Sequence, residues 1–139
     1  MTMKKKNRKT PTARTLAALR KAGFLADVVE RWIAQAGVRK DLFGIFDVLA
    51  LDTSEPGLLA VQCTTQANVG ARLRKMRQAP ALRYWLRTGA RAEVWGWFKD
   101  AAGRWQVQRV EVRADCLGEV PLVIFPRRRR VKQLELFDR

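Results

Sequence analysis

Apolar residues recur at helical spacing near the start of the chain, and short apolar runs typical of strands follow. Residues 12–22 have their apolar positions on one helical face, with Thr12 as the N-cap and Gly23 after the last turn, which predicts a short amphipathic helix. Residues 24–35 are ambiguous, because their apolar spacing suits a helix while their valines and aromatic residues suit a strand. Residues 1–11 are rich in Lys and Arg and have little to bury, so we expect a disordered basic arm.

Several later segments have the composition and periodicity of strands. The runs 45–51 and 58–64 are almost wholly apolar and are separated by a turn cluster, so both are predicted to be strands buried on two faces. Residues 91–99 and 104–113 flank a short turn and predict a β-hairpin, whose second arm alternates between apolar and polar residues. Residues 120–125 are predicted to add an edge strand, limited by nearby prolines.

A basic helix is predicted between these strands, over residues 68–77. Val69, Leu73 and Met76 fall on its inner face, and the outer face is basic. That outer face is either a phosphate-contacting surface or an ordinary solvated one. A further turn of helix is predicted at 81–87. The elements together predict a mixed α/β fold, with a small sheet flanked by helices.

The charge of the chain points to a polyanionic partner. The 139 residues contain 28 Lys and Arg against 13 Asp and Glu, a formal net charge of +15. Nucleic acid is the expected partner, and a ribosomal-type or membrane-surface protein is the alternative. The candidate DNA contacts are Arg39, Arg72, Arg74, Lys75, Arg77, Arg127, Arg128, Arg129 and Arg130.

Composition also limits the location and the chemistry. No apolar run is long enough to span a membrane, and no apolar segment follows the basic start as in a secretory signal, so we expect a cytoplasmic chain without membrane contact. Cys63 and Cys116 are too few for a disulfide framework. The chain has no His, which excludes Ser-His, Cys-His and other histidine-based catalysis. Carboxylates, Lys or metal ions are left to supply any chemistry.

Three polar residues stand in the apolar strands predicted at 45–51 and 58–64. Asp47 interrupts the first strand, and a buried carboxylate needs a partner or a metal ion. Pairing with Arg39 or Lys40 is the alternative to a metal site. Gln62 and Thr64 lie in the second strand and either belong to the same site or satisfy a sheet edge.

The element order, with Asp47 in the second strand and Gln62-Cys63-Thr64 in the third, resembles the PD-(D/E)XK nuclease superfamily, in particular Holliday junction resolvases of the archaeal type and small phage nucleases. The likeness covers residues 12–113, within a core of residues 12–126. It implies a restriction-endonuclease-like α-β-β-β-α-β-β fold, with residues 24–33 as the first strand. It also implies a homodimer that acts on DNA, with branched DNA among the candidate substrates.

The resemblance further implies a metal site of Mg²⁺ or Mn²⁺ held by carboxylates from adjacent strand ends. Asp47 stands where the family has its metal-binding Asp, Gln62 where Glu is usual and Thr64 where Lys is usual. The predicted first helix lacks an acidic residue, for which Glu30 and Asp41 are possible substitutes, and Lys40 is a candidate for the missing Lys. The catalytic candidates are Asp47, Gln62, Thr64, Glu30 and Lys40, and the metal-binding candidates are Asp47, Gln62 and Asp41. The departures from the pattern favour, as the alternative, a DNA-binding protein that has lost catalysis.

A short motif follows the Arg run in the predicted tail, residues 127–139. The segment 133–137 resembles the Gln-Leu-x-Leu-Phe pentapeptide by which bacterial polymerases and repair proteins bind the sliding clamp. The clamp-binding candidates are Gln133, Leu134, Leu136 and Phe137. This motif implies a bacterial or phage-infected cell, and it leaves a phage modulator of the host replisome as a further alternative.

Overall fold

A five-stranded mixed sheet between helices forms the part of the protein that the computed structural model describes, namely residues 8–52, 54–55 and 57–113. The elements are, in chain order, α1 (Pro11–Lys21), β1 (Leu25–Val28), β2 (Arg31–Ile33), β3 (Val38–Lys40), β4 (Val48–Leu51), β5 (Leu58–Thr65), α2 (Val69–Gln78), α3 (Pro80–Arg87), β6 (Arg91–Lys99) and β7 (Trp105–Val112), with a 3-10 turn at Gln66–Asn68. The prediction of a mixed α/β sheet flanked by helices is confirmed. None of the helices in these ranges is long and apolar enough to cross a membrane.

The sheet has the strand order β1-β4-β5-β6-β7. Strands β1, β4 and β5 pair antiparallel, β5 and β6 pair parallel, and β6 and β7 form an antiparallel hairpin. A parallel pair needs a long crossover connection, which α2 and α3 supply. Strands β2 and β3 form a separate two-stranded hairpin, inserted between β1 and β4.

Two apolar clusters lie on opposite faces of the sheet. Side chains alternate along a strand, so Leu59 and Val61 of β5 pack with α1 while Ala60 packs with α2 and α3. The same alternation assigns Gln62 and Thr64 to the face of Ala60. This face is covered by the inward side chains of α2, which were predicted correctly.

The first helix begins earlier than predicted. Thr10 is its N-cap, and the Oγ1 atom of Thr10 accepts a hydrogen bond of 3.2 Å from the backbone N–H of Ala13. The prediction of Thr12 as the N-cap is therefore wrong, because Pro11 already occupies the first helical position, where its missing N–H is harmless. Gly23 follows the helix with a φ of +95°, a conformation that glycine adopts without strain.

The predicted first and second strands are shorter in the structure. Residues 24–33 contain β1 and then β2, which belongs to the other sheet, so a single strand over this range is wrong. Of the predicted strand 45–51, only Val48–Leu51 is assigned to β4. Ile45 and Phe46 are fully buried but lie in a tight turn, in which the backbone N–H of Phe46 donates to the carbonyl of Leu42 at 3.1 Å. The proposed strand at 120–125 and most of the basic arm lie outside the described residues.

Gly96 allows the start of α2 to approach β6 closely. A Cβ atom added at this position would overlap the side chain of Val69 and lie 2.9 Å from the Cα atom of Gln66. The residue therefore has to be glycine for the connection after β5 to pack on the sheet. This connection leads away from the strand end that contains Gln62 and Thr64.

Candidate metal centre

Asp47 is held in place by the strands on both sides of it. It directly precedes β4, its backbone N–H donates to the carbonyl of Val61 at 2.9 Å, and its own carbonyl accepts from the N–H of Val29 at 2.9 Å. The backbone of Asp47 thus continues the hydrogen-bond pairing of β4 with β1 and with β5, although Asp47 itself lies just before β4. The residue is only 4% exposed. The predicted buried carboxylate is therefore present, at an end of β4.

The carboxylate of Asp47 has two short hydrogen bonds on one oxygen. Its Oδ2 atom accepts from Nε2 of Gln62 at 2.7 Å and from the backbone N–H of Cys63 at 2.7 Å. The pKa of Asp47 is raised to about 8, chiefly by burial and also by the negative charge of Asp41 and by hydrogen bonds to Asp41 and Glu30, while the backbone N–H of Cys63 acts to lower it. Without a cation, Asp47 is therefore mainly protonated at neutral pH.

Glu30, Asp41 and Asp47 form an acidic cluster. One carboxylate oxygen of each lies within 4.8 Å of the others. Glu30 directly precedes β2 and Asp41 directly follows β3, so the pairing of this hairpin brings the two residues together beside Asp47. Arg39 compensates only part of the charge, through an ion pair with Glu30 at 3.6 Å. Three carboxylates at this separation repel one another unless a proton or a cation lies among them.

Gln62 adds an oxygen atom without a partner. The side chain is only 2% exposed, and its Nε2 atom is engaged by Asp47. Its Oε1 atom accepts no hydrogen bond from any residue that the structure describes. A buried acceptor left unpaired costs about 1–3 kcal/mol. Carboxylate and amide oxygens are the ligands that Mg²⁺ and Mn²⁺ prefer, so the donor set fits a hard divalent cation.

Thr64 and Lys40 occupy different positions relative to this centre. Thr64 is buried, two residues beyond Gln62 on the same face of β5, and supplies a neutral hydroxyl where a Lys was expected from the resemblance. Lys40 is exposed at the end of β3 and lines a pocket together with Asp41. The structure therefore brings Lys40 next to the acidic cluster by way of the hairpin.

The alternative partners proposed for Asp47 are not observed. Arg39 pairs with Glu30, and neither Arg39 nor Lys40 forms an ion pair with Asp47 in the described part of the chain. The thiol of Cys63 lies on the opposite face of the sheet, in the apolar cluster that contains Leu19, and burial raises its pKa to about 12, so it is not a nucleophile for this centre.

The basic helix α2 follows the strand end that holds Gln62 and Thr64. Its cations lie on the outer side: Arg72 is half-buried, and Arg74, Lys75 and Arg77 are exposed. Within the described ranges none of the four forms an ion pair. The predicted outward position is confirmed for Arg74, Lys75 and Arg77, while Arg72 is half-buried. Contact of the four residues with DNA stays a prediction.

Two surface residues of the site were missed in the sequence. Arg31 of β2 and Phe43, which follows Asp41 by two residues, line the same pocket as Lys40 and Asp41. Phe43 has a left-handed backbone with a φ of 54°, an uncommon conformation for a residue other than glycine. The adjoining Gly44, which also has a positive φ of 74°, was the available signal for a tight turn at this position.

The remaining site predictions lie outside the described residues. These are the Arg run and the clamp-binding motif, that is Arg127, Arg128, Arg129, Arg130, Gln133, Leu134, Leu136 and Phe137. Comparison of the chain with protein-family models, with curated proteins and with solved structures finds no match.

Proposed function

We propose that this protein binds DNA and hydrolyses phosphodiester bonds at a divalent-metal centre formed by Glu30, Asp41, Asp47 and Gln62. The observation that carries the proposal is the cluster of three carboxylates at Glu30, Asp41 and Asp47. Gln62 adjoins this cluster through the hydrogen bond from its Nε2 atom to Asp47, and its Oε1 atom has no partner among the described residues. The net charge of +15 supplies the affinity for a polyanionic substrate.

The chain topology supports a restriction-endonuclease-like core. An antiparallel meander of β1, β4 and β5 follows α1, and a helical crossover leads to β6, which is parallel to β5. This order agrees with the one implied by the resemblance to the PD-(D/E)XK superfamily, with the β2–β3 hairpin as an insertion. Asp47 and Gln62 then correspond to the metal-binding positions of the second and third strands.

The residues of the centre have distinct roles in the proposed reaction. A bound Mg²⁺ or Mn²⁺ would supply positive charge that polarises the phosphate and acidifies a water molecule. Asp47 would lose its proton on metal binding, while Gln62 keeps the carboxylate oriented through its Nε2 atom. Lys40 is the cation available near Asp41 to stabilise negative charge on the phosphate, since Thr64 is uncharged.

The second candidate function is DNA binding without catalysis, and a specific observation favours it. The buried position at which the resemblance implies a Lys contains Thr64, and Lys40 is exposed rather than fixed by packing. In this case the protein would bind DNA, and the centre would bind metal without cleavage. Preference for branched DNA and action as a homodimer belong to the nuclease proposal.

We also propose that the segment 133–137 tethers the protein to a bacterial sliding clamp. Gln133, Leu134, Leu136 and Phe137 match the positions of the clamp-binding pentapeptide. A tether would raise the local concentration of the core on replicating DNA without tight core–DNA contacts. A modulator of the replisome would need this motif more than it needs Asp47.

The proposed nuclease is tested by metal binding and cleavage in parallel. Calorimetry should detect Mn²⁺ binding to the protein, and Mg²⁺ or Mn²⁺ should support cleavage of junction, flap, duplex or single-stranded DNA. Asp47→Asn should abolish both while DNA affinity stays nearly unchanged. Asp27→Asn is the control, because Asp27 is an exposed carboxylate on β1 outside the cluster. Metal binding without cleavage would support the second candidate, and normal cleavage by Asp47→Asn would refute the assignment of the site.

A further inference from the structure

We propose that the pocket beside the acidic cluster binds an unpaired nucleotide of single-stranded or branched DNA, with Phe43 stacking on the base and with Arg31 and Lys40 contacting its phosphate. The pocket has a volume of about 340 Å³. It is lined by Val29, Arg31, Lys40, Asp41, Leu42 and Phe43. This inference rests on the proposed function, because it names the part of the DNA that the metal centre would act beside.

The pocket is suited to a ligand of nucleotide size next to the centre. Its volume lies in the range of about 300–1,000 Å³ that is usual for small-ligand clefts. Asp41 belongs both to the pocket lining and to the acidic cluster. A nucleotide in the pocket would therefore have its backbone adjacent to Glu30 and Asp47.

Phe43 presents an aromatic ring where folding does not bury it. The residue is 62% exposed, and its backbone has the left-handed conformation. The turn is defined by hydrogen bonds on both sides, from the N–H of Leu42 to the carbonyl of Phe46 and from the N–H of Gly44 to the carbonyl of Asp41, each 2.9 Å long. An exposed ring on a turn that backbone hydrogen bonds hold in a left-handed conformation is a suitable platform for a base.

Arg31 and Lys40 place two positive charges side by side. They are direct cross-strand partners in the β2–β3 hairpin, and both are exposed. Neither forms an ion pair with any residue in the described ranges. Like charges directly opposite each other destabilise a hairpin, and a phosphate between them would remove the repulsion.

The base must be unpaired to use this platform. In a duplex, both faces of each base are covered by neighbouring bases, so stacking on a side chain requires an unstacked nucleotide. Single strands and branch points supply such nucleotides without the unfavourable step of opening a duplex. The pocket therefore predicts a preference for single-stranded or branched DNA over uninterrupted duplex.

The hairpin supplies a matched control on its other face. Trp32 is 61% exposed, and it pairs across the hairpin with Arg39. Because side chains alternate along β2, Trp32 points away from the face of Arg31 and Lys40. It is an exposed aromatic residue next to a cation, close to the pocket in sequence but not part of its lining.

The experiment measures binding of oligonucleotides that contain 2-aminopurine, a fluorescent base analogue, in EDTA so that no cleavage occurs. The wild-type protein should bind single-stranded and flap DNA and quench the fluorescence of an unpaired 2-aminopurine by stacking. Phe43→Ala should weaken this binding roughly 5- to 100-fold and restore the fluorescence, whereas Phe43→Trp should retain both. Trp32→Ala should change neither, and affinity for plain duplex should be unchanged in all variants.

Two outcomes would overturn the pocket proposal. One is an equal effect of Phe43→Ala on single-stranded and duplex DNA, and the other is a loss in Trp32→Ala as large as in Phe43→Ala. Calorimetric titration of Mn²⁺ into the wild-type protein is run beside the stacking assay in EDTA, so the two sites are measured separately. If the proposal of the metal centre is wrong, the protein should bind no Mn²⁺ but should still quench 2-aminopurine. If the proposal of the pocket is wrong, the protein should bind Mn²⁺ but should not quench 2-aminopurine.

Discussion

Gln62 donates a hydrogen bond of 2.7 Å from Nε2 to the Oδ2 atom of Asp47, and this orientation leaves the Oε1 atom of Gln62 without a partner among the described residues. Asp47 directly precedes β4, Gln62 lies within the neighbouring strand β5, and both side chains are buried. The amide thereby holds the carboxylate and also presents an oxygen atom of its own. This arrangement determines how the centre should respond to substitution, to pH and to metal ions.

Gln62→Glu should strengthen metal binding and weaken the metal-free fold. The change adds a carboxylate and removes the hydrogen-bond donor to Asp47, so repulsion increases until a cation binds. Thermal unfolding with increasing Mn²⁺ checks this, because a ligand at 100 times its Kd stabilises a protein by about 2.7 kcal/mol. Gln108→Glu, at an exposed position of β7, is the control. Equal metal dependence of both variants would contradict the assignment of Gln62 as a ligand.

The stability of the metal-free protein should fall as the pH rises from about 4 to about 8. The pKa of Asp47 is raised to about 8 in the folded chain from an ordinary value of 3.8, so the folded state binds more protons than the unfolded state over this range. Glu30 and Asp41 are the charged groups that face Asp47. Asp47→Asn should remove this contribution and be more stable than the wild type at the upper end of the range. Urea unfolding in EDTA at several pH values is the measurement, and parallel curves for the two proteins would refute the prediction.

Gly96→Ala should destabilise the fold by about 1–3 kcal/mol, the usual effect of overpacking. The new methyl group would overlap Val69 and crowd the backbone of Gln66, which cannot move without shifting the start of α2. Gly70→Ala is the control, because a Cβ there meets only the end of the Arg74 side chain, at 3.6 Å. In a helix this second change should stabilise the protein by up to about 1 kcal/mol. Chemical denaturation compares the free energies of unfolding of the two variants. Equal effects would show that the close contact between Gly96 and the start of α2 does not require a glycine.

Arg74→Ala together with Arg77→Ala should weaken DNA binding in a salt-dependent way. Each phosphate contact that is lost should reduce the slope of log affinity against log salt by about 0.9 on duplex DNA. Fluorescence anisotropy from low to moderate salt gives the slope. Arg104→Ala is the control, since Arg104 is exposed but already paired with Asp100 at 3.4 Å. An unchanged slope in the double variant would show that Arg74 and Arg77 do not contact phosphates and that the outer face of α2 is an ordinary solvated surface.

A peptide of residues 127–139 should bind a purified bacterial sliding clamp with a Kd near 1 μM, about −8 kcal/mol. Leu136→Ala with Phe137→Ala should remove most of the affinity, because buried apolar anchors dominate small interfaces. Glu135→Ala should have little effect, since that position is unspecified in the motif. Calorimetry with competition by a known clamp-binding peptide is the measurement. Absence of heat and of competition would leave a basic tail without clamp affinity.

Local sequence patterns were sufficient for much of the framework. The alternation along 104–113 predicted β7, and the spacing of Val69, Leu73 and Met76 predicted α2 and its buried face. Asp47 within one apolar run and Gln62 within the next were placed in one site by the resemblance, and the structure joins them by a hydrogen bond. These predictions succeeded because periodicity of 2 or 3.6 residues is a local property, and adjacent antiparallel strands bring neighbouring runs together.

Tertiary structure decided the composition of the site. The sequence alone determined the charge, the helix and strand periods, and the buried carboxylate at Asp47. The β2–β3 hairpin had no such signal, because residues 24–35 fit a helix and a strand equally well. Only the folded hairpin brings Glu30 and Asp41 to Asp47 and places Arg31 opposite Lys40. The physical reason is that these contacts depend on strand register and on a left-handed turn at Phe43, which long-range packing selects and local propensity does not.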